Sequence, residues 1–236
     1  MFIIGLSGGI GCGKSAVTKY LRENHGIKVI DCDEISRNIY PKNSSTYKKL
    51  LAHPEFKNHQ KTITNESDHQ INRRKLGELI FKNETQRAAL NSIVQPAIRW
   101  EILTRIFKLF LKGEKYVVID APTLFESKSL VSRCRYTVCV FADESQQLER
   151  VLKRDVDLTE AQALNRIKSQ IPIEEKRKLA DIEVDNSRAV NSWNGFVDEL
   201  VKTWDEKEPR FGAEWKEALA YVLITFVTCA IIYYCF

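Results

Sequence analysis

An open parallel sheet with helices on both faces, an α/β fold, is what this sequence predicts, and three observations predict it. Short apolar runs recur at residues 2–6, 27–30, 116–119, 136–141 and, more weakly, 182–184. Helical stretches separate them, at 16–23, 34–40, about 73–82, 85–112, 144–154, 159–170, 174–180 and 189–204. Aspartates close the runs (Asp31, Asp120, Asp143 and Asp185), where ligands of such sheets gather. Strands alternating with helices imply parallel pairing, and runs that are apolar throughout imply strands buried on both faces.

The first run leads straight into Gly8-Gly9-Ile10-Gly11-Cys12-Gly13-Lys14-Ser15, followed by a helical stretch. Strand, glycine loop and helix are the context in which this spacing makes a phosphate-binding loop, so the fold is specified further as a P-loop NTPase. Residues 8–15 are the expected nucleotide cradle: their backbone N–H groups would curl around a triphosphate at the positive end of the helix dipole. Lys14 would reach the β- and γ-phosphates, and the Ser15 hydroxyl would take Mg²⁺. The plain alternative is a flexible turn before an ordinary helix. A dinucleotide-binding turn is excluded, because the loop does not spell G-x-G-x-x-G and carries a Lys-Ser pair.

The second run delivers Asp31 and Asp33, one of which is expected to face the cleft. Asp33 is either the N-cap of the following helix or a base that deprotonates an acceptor hydroxyl, and spacing does not choose between them. Residues 41–69 are polar and weakly patterned and read as a mobile or poorly specified insertion. Asp120, closing the third run, is expected to serve Mg²⁺ or a water, with a cap before Pro122 as the alternative. Arg150, Lys153 and Arg154 share one helix face and could clamp phosphates from a lid, though a solvated charged face is the default for such runs.

Composition narrows the rest. A chain of 236 residues fits one medium domain with a small appendage, and its net charge of +5 suits anionic ligands without pointing to nucleic acid. The six cysteines show no CxxC pair and the four histidines no ligand spacing, which disfavours a zinc site or a disulfide framework and points to a reducing compartment. No secretory signal is expected, since the first strand runs into the loop. No obligate protein partner is evident.

The C-terminus differs from all of this. Residues 218–236 contain no charge, and 19 residues of helix would rise about 28 Å, close to the hydrocarbon thickness of a bilayer. Trp215 and Tyr233-Tyr234 could sit in the two interfacial belts. The expected organisation is therefore a P-loop domain at 1–204, a charged linker at 205–217 and a C-terminal transmembrane helix at 218–236. The catalytic part would face the cytosol from the mitochondrial outer membrane or the endoplasmic reticulum.

Several blocks resemble the dephospho-CoA kinase family. They are residues 4–15, the segment Val29-Ile30-Asp31-Cys32-Asp33-Glu34-Ile35-Ser36-Arg37, Arg73-Arg74-Lys75-Leu76-Gly77, residues 80–83 and 90–98, Asp120-Ala121-Pro122-Thr123-Leu124-Phe125-Glu126, and Arg166-Ile167-Lys168-Ser169-Gln170 with Lys176, Asp181 and 184–186. The resemblance spans about 2–204, and single-domain animal members are similar in ending on a hydrophobic tail. It implies transfer of the ATP γ-phosphate to the ribose 3′-hydroxyl of dephospho-CoA, with ATP and Mg²⁺ required. It makes Asp33 the catalytic base, with Lys14 and a lid arginine, Arg154, around the phosphoryl group. It implies acceptor contacts from Arg37, Arg74 and Leu76 in a helical acceptor-binding segment. Ser7, Gln95 and Thr123 depart from the family's usual threonine, histidine and leucine. Alternatives on the same core are a kinase for another nucleotide-like acceptor and a non-catalytic NTP-binding protein; a GTP switch is disfavoured by the lack of an Asn-Lys-x-Asp motif.

Overall fold

The computed structural model describes residues 1–81, 83–188, 192–207 and 225. Its sheet has five parallel strands in the order β2-β3-β1-β4-β5: β1 Phe2–Gly8, β2 Val29–Asp31, β3 Tyr116–Asp120, β4 Tyr136–Phe141 and β5 Ile182–Asp185. Strand β1 lies centrally, with Leu6 level with Asp120 and Gly8 level with Val140. The carboxyl ends of β1, β3 and β4 thus meet at one end of the sheet.

Each face carries its own core. Helix α1 (Lys14–His25) leaves the loop and stops at Gly26, which takes the left-handed conformation (φ +65°) that terminates helices. With α12 (Asn194–Lys207) it covers one face, packing Val17, Leu21, Val197, Val201 and Trp204 on Ile4, Leu6, Val118 and Val138. The other face, from Val117 and Ile119, is covered by α2 (Cys32–Arg37), α6 (Arg73–Phe81) and α7 (Glu84–Leu111). Val117 and Ile119 on one side and Val118 on the other follow from the twofold period of a strand. Beyond β4, α9 (Glu144–Arg154), α10 (Glu160–Lys168) and α11 (Ile173–Leu179) complete the domain; α8 (Lys128–Val131) is a single turn.

Residues 41–69 correct the sequence reading. They form three short helices, α3 (Ser45–Ala52), α4 (Pro54–Lys57) and α5 (Gln60–Ile63), and build core. Leu50, Phe56 and Ile63 are fully buried against α6 and α7. Local capping holds these helices: Ser44 Oγ accepts from Tyr47 N at 3.1 Å, and His53 Nδ1 accepts from Glu55 N at 3.2 Å, with Pro54 in the first turn. Their apolar positions are too sparse to show a period, so only tertiary contact reveals them.

The C-terminal boundary also moves. Residues 205–207, expected to begin the linker, are the last turn of α12, where Asp205 pairs with Lys115 at 2.9 Å. The rest of the expected linker and the expected membrane helix at 218–236 lie, apart from Thr225, outside the described residues. Among the described residues, no helix is long and apolar enough to cross a membrane.

Candidate active site

The loop between β1 and α1 owes its shape to backbone packing. Gly11 and Gly13 have φ of +77° and +84°, the left-handed region that only glycine enters freely. A Cβ on Gly11 would stand 2.5 Å from the Gln147 carbonyl oxygen, and one on Gly13 would stand 2.1 Å from Asn186 Nδ2. Distant side chains fix the loop's carbonyls. Asn186 Nδ2 donates to Cys12 O at 2.8 Å while its Oδ1 accepts from Trp193 Nε1 at 3.1 Å. Arg150 donates to Gly11 O at 3.3 Å and to Asn186 O at 2.9 Å, and Gln170 Oε1 accepts from Ile10 N at 3.1 Å. No role for Gln147, Gln170 or Asn186 is evident from the sequence. Gln170 and Asn186 do fall within the blocks that resemble the family, and Asn186 stands just past an aspartate-ended strand.

Lys14 and Asp120 meet directly in a salt bridge and hydrogen bond at the end of β3. Asp120 is 5 % exposed, and burial pushes its pKa up although the Lys14 ammonium pulls the other way. Burial is the larger of the two influences on this carboxylate. Ser15 is exposed at the head of α1. Among the described residues no group of three or more His, Cys, Asp or Glu gathers as a self-sufficient cation cage. Mg²⁺ does not require one, because it is held by one or two protein oxygens together with substrate phosphates and water. The Ser15 hydroxyl and Asp120 carboxylate are oxygen donors of that kind and fit such an ion.

Next to this pair, the Pro122 carbonyl accepts from Ser7 Oγ at 3.2 Å and from Lys176 Nζ at 2.7 Å. Lys176 is wholly buried, with Glu126 3.6 Å away. It ties the segment after β3 to α11 and so orients the rim of the neighbouring cavity.

That cavity, of about 310 Å³, opens between α2, α7 and the segment after β3, and Asp33, Gln95, Arg99, Thr123 and Arg133 are among its lining residues. Asp31, not Asp33, caps α2, accepting from Glu34 N at 2.9 Å. The cap reading of Asp33 is therefore corrected, and its exposed carboxylate faces the cavity from the first turn. Asp33 is also close enough to Asp120 to raise the latter's pKa. Between them, Cys32 is pushed up to about 12, chiefly by burial and then by Asp120, Asp31 and Asp33.

The other expected contacts divide. Arg37 lies exposed one turn beyond Asp33 on α2 and does not line this cavity. Arg74 is exposed on α6 and pairs with Glu78 at 3.6 Å, also outside the cavity. Leu76 is a correction: it is 2 % exposed and belongs to the core, so its side chain has no surface to offer an acceptor. Arg154 ends α9 and holds Asp155 at 3.1 Å, as does Arg166 at 2.9 Å; the arginine that reaches the loop is Arg150, one turn earlier.

A family model for dephospho-CoA kinase matches residues 2–192. This chain belongs to the dephospho-CoA kinase family. A dephospho-CoA kinase of Saccharomyces cerevisiae is 34% identical over 202 residues, 86% of this chain and 82% of that one. An uncharacterized protein of Caenorhabditis elegans is 37% identical over 236 residues, 100% of this chain and 94% of its own length. Among solved structures, one from Thermus thermophilus is similar with a TM-score of 0.69 at 28% identity, covering 86% of this chain and 97% of that one. The chain is an ATP-dependent phosphotransferase that phosphorylates dephospho-CoA in coenzyme A biosynthesis.

Proposed function

We propose that this dephospho-CoA kinase transfers the γ-phosphate to the ribose 3′-hydroxyl, with Asp33 as the general base and the 310 Å³ cavity as the acceptor site. The observation that carries the reading is Asp33 itself. Its carboxylate lines the cavity, is released from capping by Asp31, and has no hydrogen bond or ion pair among the described residues. Asp33 takes the proton of the acceptor hydroxyl as its oxygen forms the new bond to phosphorus, and the bond to the departing ADP oxygen breaks. Lys14 leaves Asp120 to balance charge on the β- and γ-phosphates, and Arg150 holds the loop in shape. Arg99 and Arg133 suit the diphosphate of the acceptor, and Arg37 and Arg74 remain second contacts if the helices close around it. Arg154 comes to the phosphoryl group on lid closure, which requires it to leave Asp155. Mg²⁺, held by Ser15 and Asp120 with the phosphates, would supply charge neutralisation.

Asp33→Asn tests this. ATP affinity should stay within twofold while kcat falls about 10²–10⁴-fold, the usual loss for a general base. Full activity in the variant would sink the assignment. AMP and adenosine serve as control acceptors; transfer to them as fast as to dephospho-CoA would overturn the acceptor reading.

The C-terminal segment 218–236 is proposed as a tail anchor that leaves the kinase domain in the cytosol, at the mitochondrial outer membrane or endoplasmic reticulum. Its 19 uncharged residues support this. Alkaline extraction of membranes carrying the full chain tests it: release into the supernatant would exclude an inserted helix.

A further inference from the structure

The end of the sheet opposite the active site carries a basic groove that catalysis does not use. It is an open hollow of about 460 Å³ along edge strand β2, and its ionisable lining residues are Arg22, Lys28, Arg105, Lys108 and Lys112, with no acid among them. Arg22 comes from the last turn of α1, Lys28 from the residues entering β2, and the other three from the last turns of α7 and its cap. Arg105 is already occupied by Glu101 at 2.8 Å and Glu34 at 3.8 Å. Lys28, Lys108 and Lys112 have no carboxylate within 4.0 Å among the described residues. Three cations held together without counter-charge make a site for an anion.

The chain leaves for its apolar tail at this same end. Helix α12 begins beside the loop, where Trp193 meets Asn186, and runs down the sheet to its other end. There Trp204 stacks on Tyr136 with centroids 6.5 Å apart, and Asp205 is tied to Lys115, the residue before β3. Helix α1, which supplies Arg22, is bound to α12 through His25 and Asp198 at 2.7 Å. Groove and exit point are thus at one end of the domain, and the phosphate loop and Asp33 are at the other.

We propose that the groove binds the headgroups of acidic phospholipids, docking the domain on the bilayer that holds residues 218–236, with the active site turned away from the membrane. The proposal rests on the anchor reading, which supplies the membrane. Juxtamembrane lysines gain from an anionic surface, roughly fivefold in partition for each, and the gain fades as salt shortens the Debye length.

The test uses the full chain in vesicles of phosphatidylcholine, with or without one-third phosphatidylserine. Alkaline extraction from the neutral vesicles reports on the anchor, and hydrogen exchange at 26–30 and 105–112 reports on the groove. Exchange in both segments should slow severalfold only with phosphatidylserine and recover in high salt. Lys28→Glu/Lys108→Glu/Lys112→Glu should abolish the protection while keeping kinase activity in detergent; if that variant does not fold, Lys108→Glu alone should weaken protection about fivefold or more. An inserted chain whose segments exchange equally on both vesicles would overturn the groove proposal and leave the anchor standing. A chain released by alkali would remove the anchor, and phosphatidylserine-dependent protection would then still decide the groove. Equal protection by inorganic phosphate without vesicles would show a soluble-anion site and overturn docking.

Discussion

The glycine loop and the cavity proposed for the acceptor lie side by side but are held by different means. The loop is a backbone object: two glycines with positive φ, a carbonyl close behind one and an amide behind the other, and every fixing hydrogen bond made to main-chain atoms. The cavity is a side-chain object, walled by α2 and α7 and supported from behind by Leu50, Phe56 and Ile63 of the short helices. A triphosphate has the same shape for every enzyme that binds it, so a fixed backbone suits it. An acceptor is particular to the enzyme, and its site is set by which helices pack where.

The difference can be broken from either side. Phe56→Ala should have the largest effect on stability. Its ring is fully buried, and such truncations cost about 3–5 kcal/mol. Urea unfolding should shift accordingly, and in the molecules that remain folded the KM for dephospho-CoA should rise while ATP affinity stays within twofold. A matching loss of ATP affinity would show that the two halves are not separable. Gly13→Ala should do the reverse. The left-handed conformation costs a non-glycine residue about 1–2 kcal/mol, and the added Cβ must also displace the Asn186 amide from 2.1 Å. ATP affinity should fall at least tenfold, with the stability loss below that of Phe56→Ala, as measured by nucleotide titration and urea unfolding.

The same contrast explains what could be read in the sequence. Strands and the loop were legible because their signals are local: unbroken apolar runs, and glycines with Lys-Ser at fixed spacing. Lys14 could be nominated from the loop spacing and Asp120 from its strand end, but their direct pairing shows only in the fold. The cavity was half legible. Asp33 could be nominated, but that Asp31 takes the capping bond is a rotamer-level choice that two nearly equivalent aspartates do not reveal. Leu76 was misread because a buried leucine and a ligand-contacting one look alike in a helix. Residues 41–69 were missed since their few apolar side chains are spread over three short helices, none long enough to display a period. Asn186 and Gln170 act on the loop across separations of 174 and 160 residues, which no local pattern encodes.

Cys32 lies where the two regions meet and reports on both. Its thiol is pushed up to about 12 by burial, reinforced by Asp120 from the loop side, by the capping Asp31 and by Asp33 from the cavity side, against Lys14. An ordinary thiol ionises near pH 8.5. The folded state therefore holds this proton where the unfolded chain has lost it, so the contribution to stability is intact below about pH 8.5 and is lost as pH rises toward 12. Cys139, pushed to about 12 mainly by burial, acts in the same direction. Each should steepen the alkaline fall in stability by about 1.4 kcal/mol per pH unit, readable as a drop in the urea midpoint between pH 9 and 11. Cys32 also gives a local reading through alkylation, whose rate should climb about tenfold per pH unit through pH 11, since only the thiolate reacts. Asp33→Asn should move that profile down in pH, because one of the charges opposing the thiolate is gone. A profile that levels off near pH 9 in the unsubstituted protein, or one that Asp33→Asn leaves in place, would mean that loop and cavity do not share the field that their closeness implies.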